Sequence, residues 1–143
     1  MEGKIIIVDD MEVAIDLMKT ILNRAGFKNI STYCCPMRAL HDIEQGLSPI
    51  LIISDFRMPT LNGVQFLQAV STVHHSVPSV IITGDPDSVS ETPPNCQILE
   101  KGSTNFFQSL ILIVKKVCER QNISSTVLQS DLAAVPVFEK THL

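Results

Sequence analysis

The chain has no excess of positive charge. With 11 Lys and Arg against 15 Asp and Glu its formal net charge is −4, and its pI is about 5.5. That leaves no electrostatic footprint for nucleic acid or for an anionic membrane surface. No apolar run approaches the roughly 20 residues needed to span a bilayer. The start, Met1-Glu2-Gly3-Lys4-Ile5, lacks the basic stretch, apolar core and small-residue cleavage site of a signal peptide, so a cytoplasmic location is the expectation. The four cysteines contain no CxxC pair: Cys34 and Cys35 are adjacent, while Cys96 and Cys118 stand alone. This excludes the usual spacing for zinc or thiol exchange and reads as small thiols in a reducing compartment. His74 and His75 are sequence neighbours that would diverge on a helix, and His41 and His142 have no partners at ligand spacing. Repeats and low-complexity tracts are absent as well.

What is present is a core. A hydrophobic fraction of 45% with 18% charged residues, over 143 residues, describes one ordinary folded domain. Along the chain, apolar runs of strand length alternate with segments of helical period. A strand at 4–8 precedes a helix at 11–25, in which Ala14, Ile15, Met18, Ile21 and Leu22 recur at helical spacing until Gly26 stops it. A strand at 30–34 precedes a helix from Pro36, a residue suited to a first turn, to about Gln45. A strand at 50–54 precedes a helix at 63–73 with Val64, Phe66, Leu67 and Val70 inward. Strands at 80–82 and 97–99 follow, then a last helix from about 104 to 119 carrying Phe107, Leu110, Ile111, Val114 and Val117. Such alternation predicts a parallel sheet with right-handed crossovers and helices on both faces.

Residues 84–95 break the alternation. They hold Pro86, Pro93 and Pro94 and almost no apolar residue, so at most one or two helical turns fit, and those have no face to dock. The segment after Arg120 is distinct again, with Val127, Leu128, Leu132 and Val135 among serines and threonines. It reads as a tail or linker over 122–143, either a short helix docked on the domain or a linker to a further one.

Three carboxylates converge at strand ends. The run Ile50-Leu51-Ile52-Ile53-Ser54 has the continuous apolar character of a strand buried on both faces, and it ends in Asp55. The first strand ends the same way, in Asp9-Asp10. Open parallel sheets bind ligands outside the carboxyl ends of their strands. Taken singly, Asp10 could be a helix N-cap, Asp55 a loop residue, Thr83 an ordinary β-former and Lys101 a solvated charge. Delivered to one edge, they make a site.

In this order, Asp9-Asp10, then Asp55 with Met58-Pro59 and Gly63, then Thr83, then Lys101, the chain resembles a response-regulator receiver domain over about residues 3–120. The resemblance implies a flavodoxin-like, doubly wound α/β fold, with five parallel strands in the order 2-1-3-4-5 and here a reduced fourth helix. It implies a receiver at 1–121, acting in a two-component phosphorelay as a phosphoacceptor rather than an enzyme. Asp55 would accept a phosphoryl group from a histidine kinase or phosphotransfer protein. Mg²⁺ would be held by Asp10, Asp55 and the backbone carbonyl of Arg57, with Asp9 acting through water. Lys101 and Thr83 would each meet a phosphoryl oxygen. Neither nucleic acid nor membrane is an expected partner of this domain, and an output domain or downstream protein is.

Two positions depart from the family pattern. Gly102 follows Lys101 where proline with a cis bond is usual, so a trans bond is expected. Ile98 stands where a switch aromatic is usual, so the standard readout cannot operate in that form. Together with the proline-rich segment this predicts a remodelled output face, and it favours as the alternative an interaction module with little phosphorylation. A haloacid-dehalogenase-type phosphatase, which uses a second aspartate two residues after the nucleophile, is disfavoured by Arg57.

Overall fold

The computed structural model describes the backbone of residues 3–130 and the side chains of residues 3–121. Five strands, β1 (Lys4–Val8), β2 (Ile30–Tyr33), β3 (Pro49–Asp55), β4 (Ser79–Thr83) and β5 (Cys96–Glu100), form one parallel sheet in the order β2-β1-β3-β4-β5. This is the expected flavodoxin-like order. Four helices connect and cover them: α1 (Glu12–Arg24), α2 (Pro36–Glu44), α3 (Gly63–Ser71) and α4 (Phe106–Ser130).

The period of two along β1 decides the layers. Ile5 and Ile7 join a core with Ile15, Met18 and Leu22 of α1 and with Leu110, Val114 and Val117 of α4. Ile6 and Val8 join the opposite core with Ala39 and Ile43 of α2 and Val64, Phe66 and Leu67 of α3. β3 lies at the centre, and from Leu51 to Asp55 every residue is buried. Its uninterrupted apolar run therefore meets no water on either side, as parallel sheets require.

Local chemistry sets the helix ends. Asn62 and Gln65 form a reciprocal capping box, each side chain bonded to the other's backbone N–H, which satisfies two orphan donors of α3. α1 starts without a side-chain cap at Met11; instead the Asp9 carboxylate accepts the Met11 N–H at 2.9 Å. Asp10, the capping candidate by sequence, does not cap.

Between β4 and β5 the only helical element is a single 3-10 turn, Pro86–Ser88, so the fourth helix expected to be reduced is all but gone. The connector is nevertheless tethered: Gln68 donates to the Glu91 carbonyl at 2.7 Å and Asn95 to the Ser76 carbonyl at 3.1 Å. Without a covering helix, Ile98 stays 40% exposed. The last helix departs from expectation. It continues from Phe106 to Ser130 rather than stopping near Glu119, because Gln121, Asn122, Ile123 and the serines after it include neither Gly nor Pro to end it. The expected docking of Val127, Leu128, Leu132 and Val135 concerns side chains outside the described residues.

Tyr33, the only tyrosine of the chain, donates its hydroxyl to Asp42 at 2.7 Å and ties β2 to α2. Burial, then this bond and the charge of Asp42, push the phenol up to about 12 from an ordinary 10.0. The proton is thus held more tightly in the folded chain, so the contribution to stability is complete below pH 10 and is lost as pH rises toward 12. A phenolate absorbance titration is expected to centre near that raised value, and Asp42→Asn to bring it down. A midpoint unmoved by the substitution would refute the link.

Candidate functional site

The site is built where β1, β3, β4 and β5 end. Asp9, Asp10 and Asp55 each offer a carboxylate oxygen within 4.8 Å of the others. Asp9 is 1% exposed and Asp55 7%, whereas Asp10 is exposed. Strand pairing explains the approach: Val8 lies opposite Ser54 in the β1–β3 register, so Asp9, just past β1, and Asp55, the last residue of β3, emerge side by side. Burial first, and then the negative charges of Asp55 and Asp10, hold the Asp9 carboxyl above the usual range, against the opposing pull of the Met11 N–H and Lys101.

Lys101 follows β5 and places its ammonium 2.8 Å from Asp55 Oδ1. Its position is fixed by the backbone, where Lys101 N–H donates to the Thr83 carbonyl at 2.8 Å. Burial works against the ammonium, yet the hydrogen bond and charge of Asp55, with Asp9 and Asp10 behind it, prevail and raise its pKa. Thr83, 3% exposed, accepts the Asp85 N–H on Oγ1 at 3.0 Å. That leaves its own O–H to donate. Asp55, Arg57, Thr83, Gly84, Asp85 and Lys101 line an open cleft of about 150 Å³. A Cβ on Gly84 would meet nothing within 4 Å, so a side chain there would enter open space beside the cleft.

The β3–α3 loop is held by a close approach. Gly63 N–H donates to the Phe56 carbonyl at 2.7 Å, and a Cβ on Gly63 would lie 2.5 Å from the Asp55 carbonyl oxygen. Only glycine fits. Leu61 N–H closes on the Pro59 carbonyl at 2.9 Å across Thr60, whose φ is 78°. A β-branched residue in that region is strained backbone, of the kind that gathers at functional loops. At the mouth, Arg57 pairs with Asp85 at 3.8 Å across the cleft, both largely exposed, and its guanidinium lies 5.4 Å from the Phe56 ring centroid. No cis peptide bond occurs among the described residues, and Gly102 has φ 83°, which only glycine adopts freely.

The structure thus brings Asp9, Asp10, Asp55, Thr83 and Lys101 to one edge, with Arg57 at its rim. Sequence reasoning missed the Asp9–Met11 bond and the Asn62–Gln65 box, although Asn-x-x-Gln before an apolar run is a readable capping signal. It also passed over Thr60, since nothing in Pro-Thr-Leu announces a positive φ.

The model of the response regulator receiver domain matches residues 5–100, and the chain belongs to that family. It is the receiver domain of two-component response regulators, a module of phosphorelay signalling. Among relatives, the transcriptional regulatory protein FixJ of Bradyrhizobium diazoefficiens is 29% identical over 107 residues, 75% of this chain and 49% of FixJ. A CheY-type chemotaxis protein of Rhizobium etli is 39% identical over 75 residues, 48% of this chain and 53% of that protein. The chain therefore spans about half the length of these relatives. The fold is shared with a response regulator receiver domain protein of Clostridium thermocellum, with a TM-score of 0.71 at 22% identity over 85% of this chain and 98% of that one.

Proposed function

We propose that this receiver accepts a phosphoryl group on Asp55 from a phosphohistidine of a histidine kinase or phosphotransfer protein, with Mg²⁺ in the acidic cluster. The observation that carries the reading is the Lys101 ammonium set 2.8 Å from the carboxylate of Asp55, inside a triad of aspartates. An anion attacking an anionic phosphoryl group needs its charge offset. The cluster suits a hard divalent cation, since its donors are all oxygens and one face opens to water. Asp10, Asp55 and the Arg57 carbonyl would hold the ion, with Asp9 acting through water. A bound Mg²⁺ supplies positive charge where the phosphoryl oxygens arrive. An Asp55 oxygen forms the new bond to phosphorus as the bond from phosphorus to the donor imidazole breaks. Lys101 exchanges its contact with Asp55 for a phosphoryl oxygen, and the Thr83 O–H donates to another. The receiver unit spans 1–121 in this reading, and 122–143, which begins within α4, leads toward an output domain or partner.

Mixing the protein with Mg²⁺ and acetyl phosphate is expected to add the mass of one phosphoryl group, and chelation to prevent it. An unmodified protein would favour the alternative, an interaction module that is not phosphorylated.

The Arg57–Asp85 pair spans the path that an attacking water would take to the aspartyl-phosphate. An exposed pair is worth only about 0–1 kcal/mol, so the expected effect is modest: roughly two- to fivefold faster dephosphorylation in Arg57→Ala or Asp85→Ala. The double mutant should lose no more than either single one. Additive logarithms across the four proteins would show that the pair is not coupled.

A further inference from the structure

We infer that the outer edge of β5 is a self-association edge, at which a second copy of this chain adds its own β5 antiparallel about a two-fold axis through Ile98. The inference concerns the unphosphorylated protein and does not rest on the proposed phosphotransfer.

The ladder to β4 fixes which way the backbone of β5 faces. Ser79 N–H donates to the Asn95 carbonyl and Lys101 N–H to the Thr83 carbonyl, with Ser79 opposite Cys96 and Thr83 opposite Glu100. In a parallel ladder the bonding residues alternate, so Gln97 and Leu99 turn their N–H and C=O toward β4. Cys96, Ile98 and Glu100 turn theirs outward. Among the described residues no backbone group pairs with them. Strand edges of this kind template further pairing unless proline, lysine, a bulge or a covering element blocks them. β5 itself has neither proline nor lysine, no bulge interrupts its register with β4, and the connector supplies only one 3-10 turn where a helix could have covered the strand.

The occupant follows from complementarity. With the axis at Ile98, each Ile98 faces its copy, and each Cys96 faces the copy's Glu100. All three outward residues are then opposite outward residues, so every N–H finds a C=O in narrow antiparallel pairs. The same register sets the strand's only charge, Glu100, against a thiol rather than against its own copy. Ile98, 40% exposed, meets its equivalent at the centre, an isologous and closed arrangement. The five-stranded sheets would join into one, with the two acidic edges pointing in opposite directions, so each would stay open to its donor. A contact this short is a weak dimer.

Sedimentation of the full chain from roughly 10 µM to 1 mM, a span suited to weak association, without Mg²⁺ or phosphodonor, is expected to show a mass rising toward twice the monomer. Ile98→Lys should raise the dissociation constant at least tenfold while leaving the melting transition in place, since that side chain belongs to neither hydrophobic core. Amide exchange should slow with concentration at Cys96, Ile98 and Glu100, and stay constant at Gln97 and Leu99. A monomer throughout, or a dimer indifferent to Ile98→Lys, or protection elsewhere without protection of those three amides, would overturn the inference.

Discussion

Asp55→Asn is expected to gain no phosphoryl mass under conditions in which the wild type gains one. The amide oxygen lacks the charge that attacks phosphorus, and no other carboxylate has the same surroundings: Asp9 is 1% exposed and committed to the Met11 N–H, and Asp10 has no ion pair with Lys101. The substitution also takes one of three clustered carboxylates away, so Mg²⁺ binding should weaken, read by titration of intrinsic or calorimetric signal. Lys101→Met separates the two effects. Removing one preorganised cation from a site of developing charge costs on the order of 10²–10³ in rate, while Mg²⁺ affinity should hold or rise, because a competing positive charge is gone. Modification of Asp55→Asn to the wild-type extent would place the acceptor elsewhere. An equal loss of metal binding and rate in Lys101→Met would mean that the lysine is structural.

Gly63→Ala is the second large effect. The added Cβ would lie 2.5 Å from the Asp55 carbonyl oxygen and 3.2 Å from Phe56 Cα, and both neighbours are backbone. Overpacking against atoms that cannot rotate away costs about 1–3 kcal/mol. This outweighs the roughly 0.5–1 kcal/mol that alanine gains over glycine in a helix. The expected result is a lower urea midpoint with an unchanged slope. Because the atom struck belongs to Asp55 itself, the phosphorylation rate should fall as well, even where the protein is fully folded. A midpoint at or above the wild type would show that the loop yields at no cost.

Much of this was legible because it depends on residue type at strand ends. An apolar run that stops at an acidic residue shows where the sheet delivers a carboxylate, and Asp9, Asp10 and Asp55 obey it. Pro86, Pro93 and Pro94 announced the missing helix, since proline removes donors and no apolar face remained. Gly102 marked a trans connection. What could not be read depends on distances that form only once the chain is folded. The collision that reserves position 63 for glycine, the 2.8 Å approach of Lys101 to Asp55 and the positive φ of Thr60 are set by packing. α4 runs past the expected end near Glu119 to Ser130, since no Gly or Pro stands between them to end it.

The bare connector also has an energetic consequence for the site. β5 has no fully buried residue, and only Cys96 and Leu99 pack against the cores, so its own side chains add little to the apolar surface exposed when it peels from β4. Its local opening therefore lies well below the free energy of global unfolding, and Lys101 leaves with it. Strand docking and occupancy of the acidic edge are linked equilibria: whatever ligand holds the ammonium at Asp55 also holds β5 in the sheet. In most of the domain, packing keeps the strands in place; at this edge the charge of the site does part of that work.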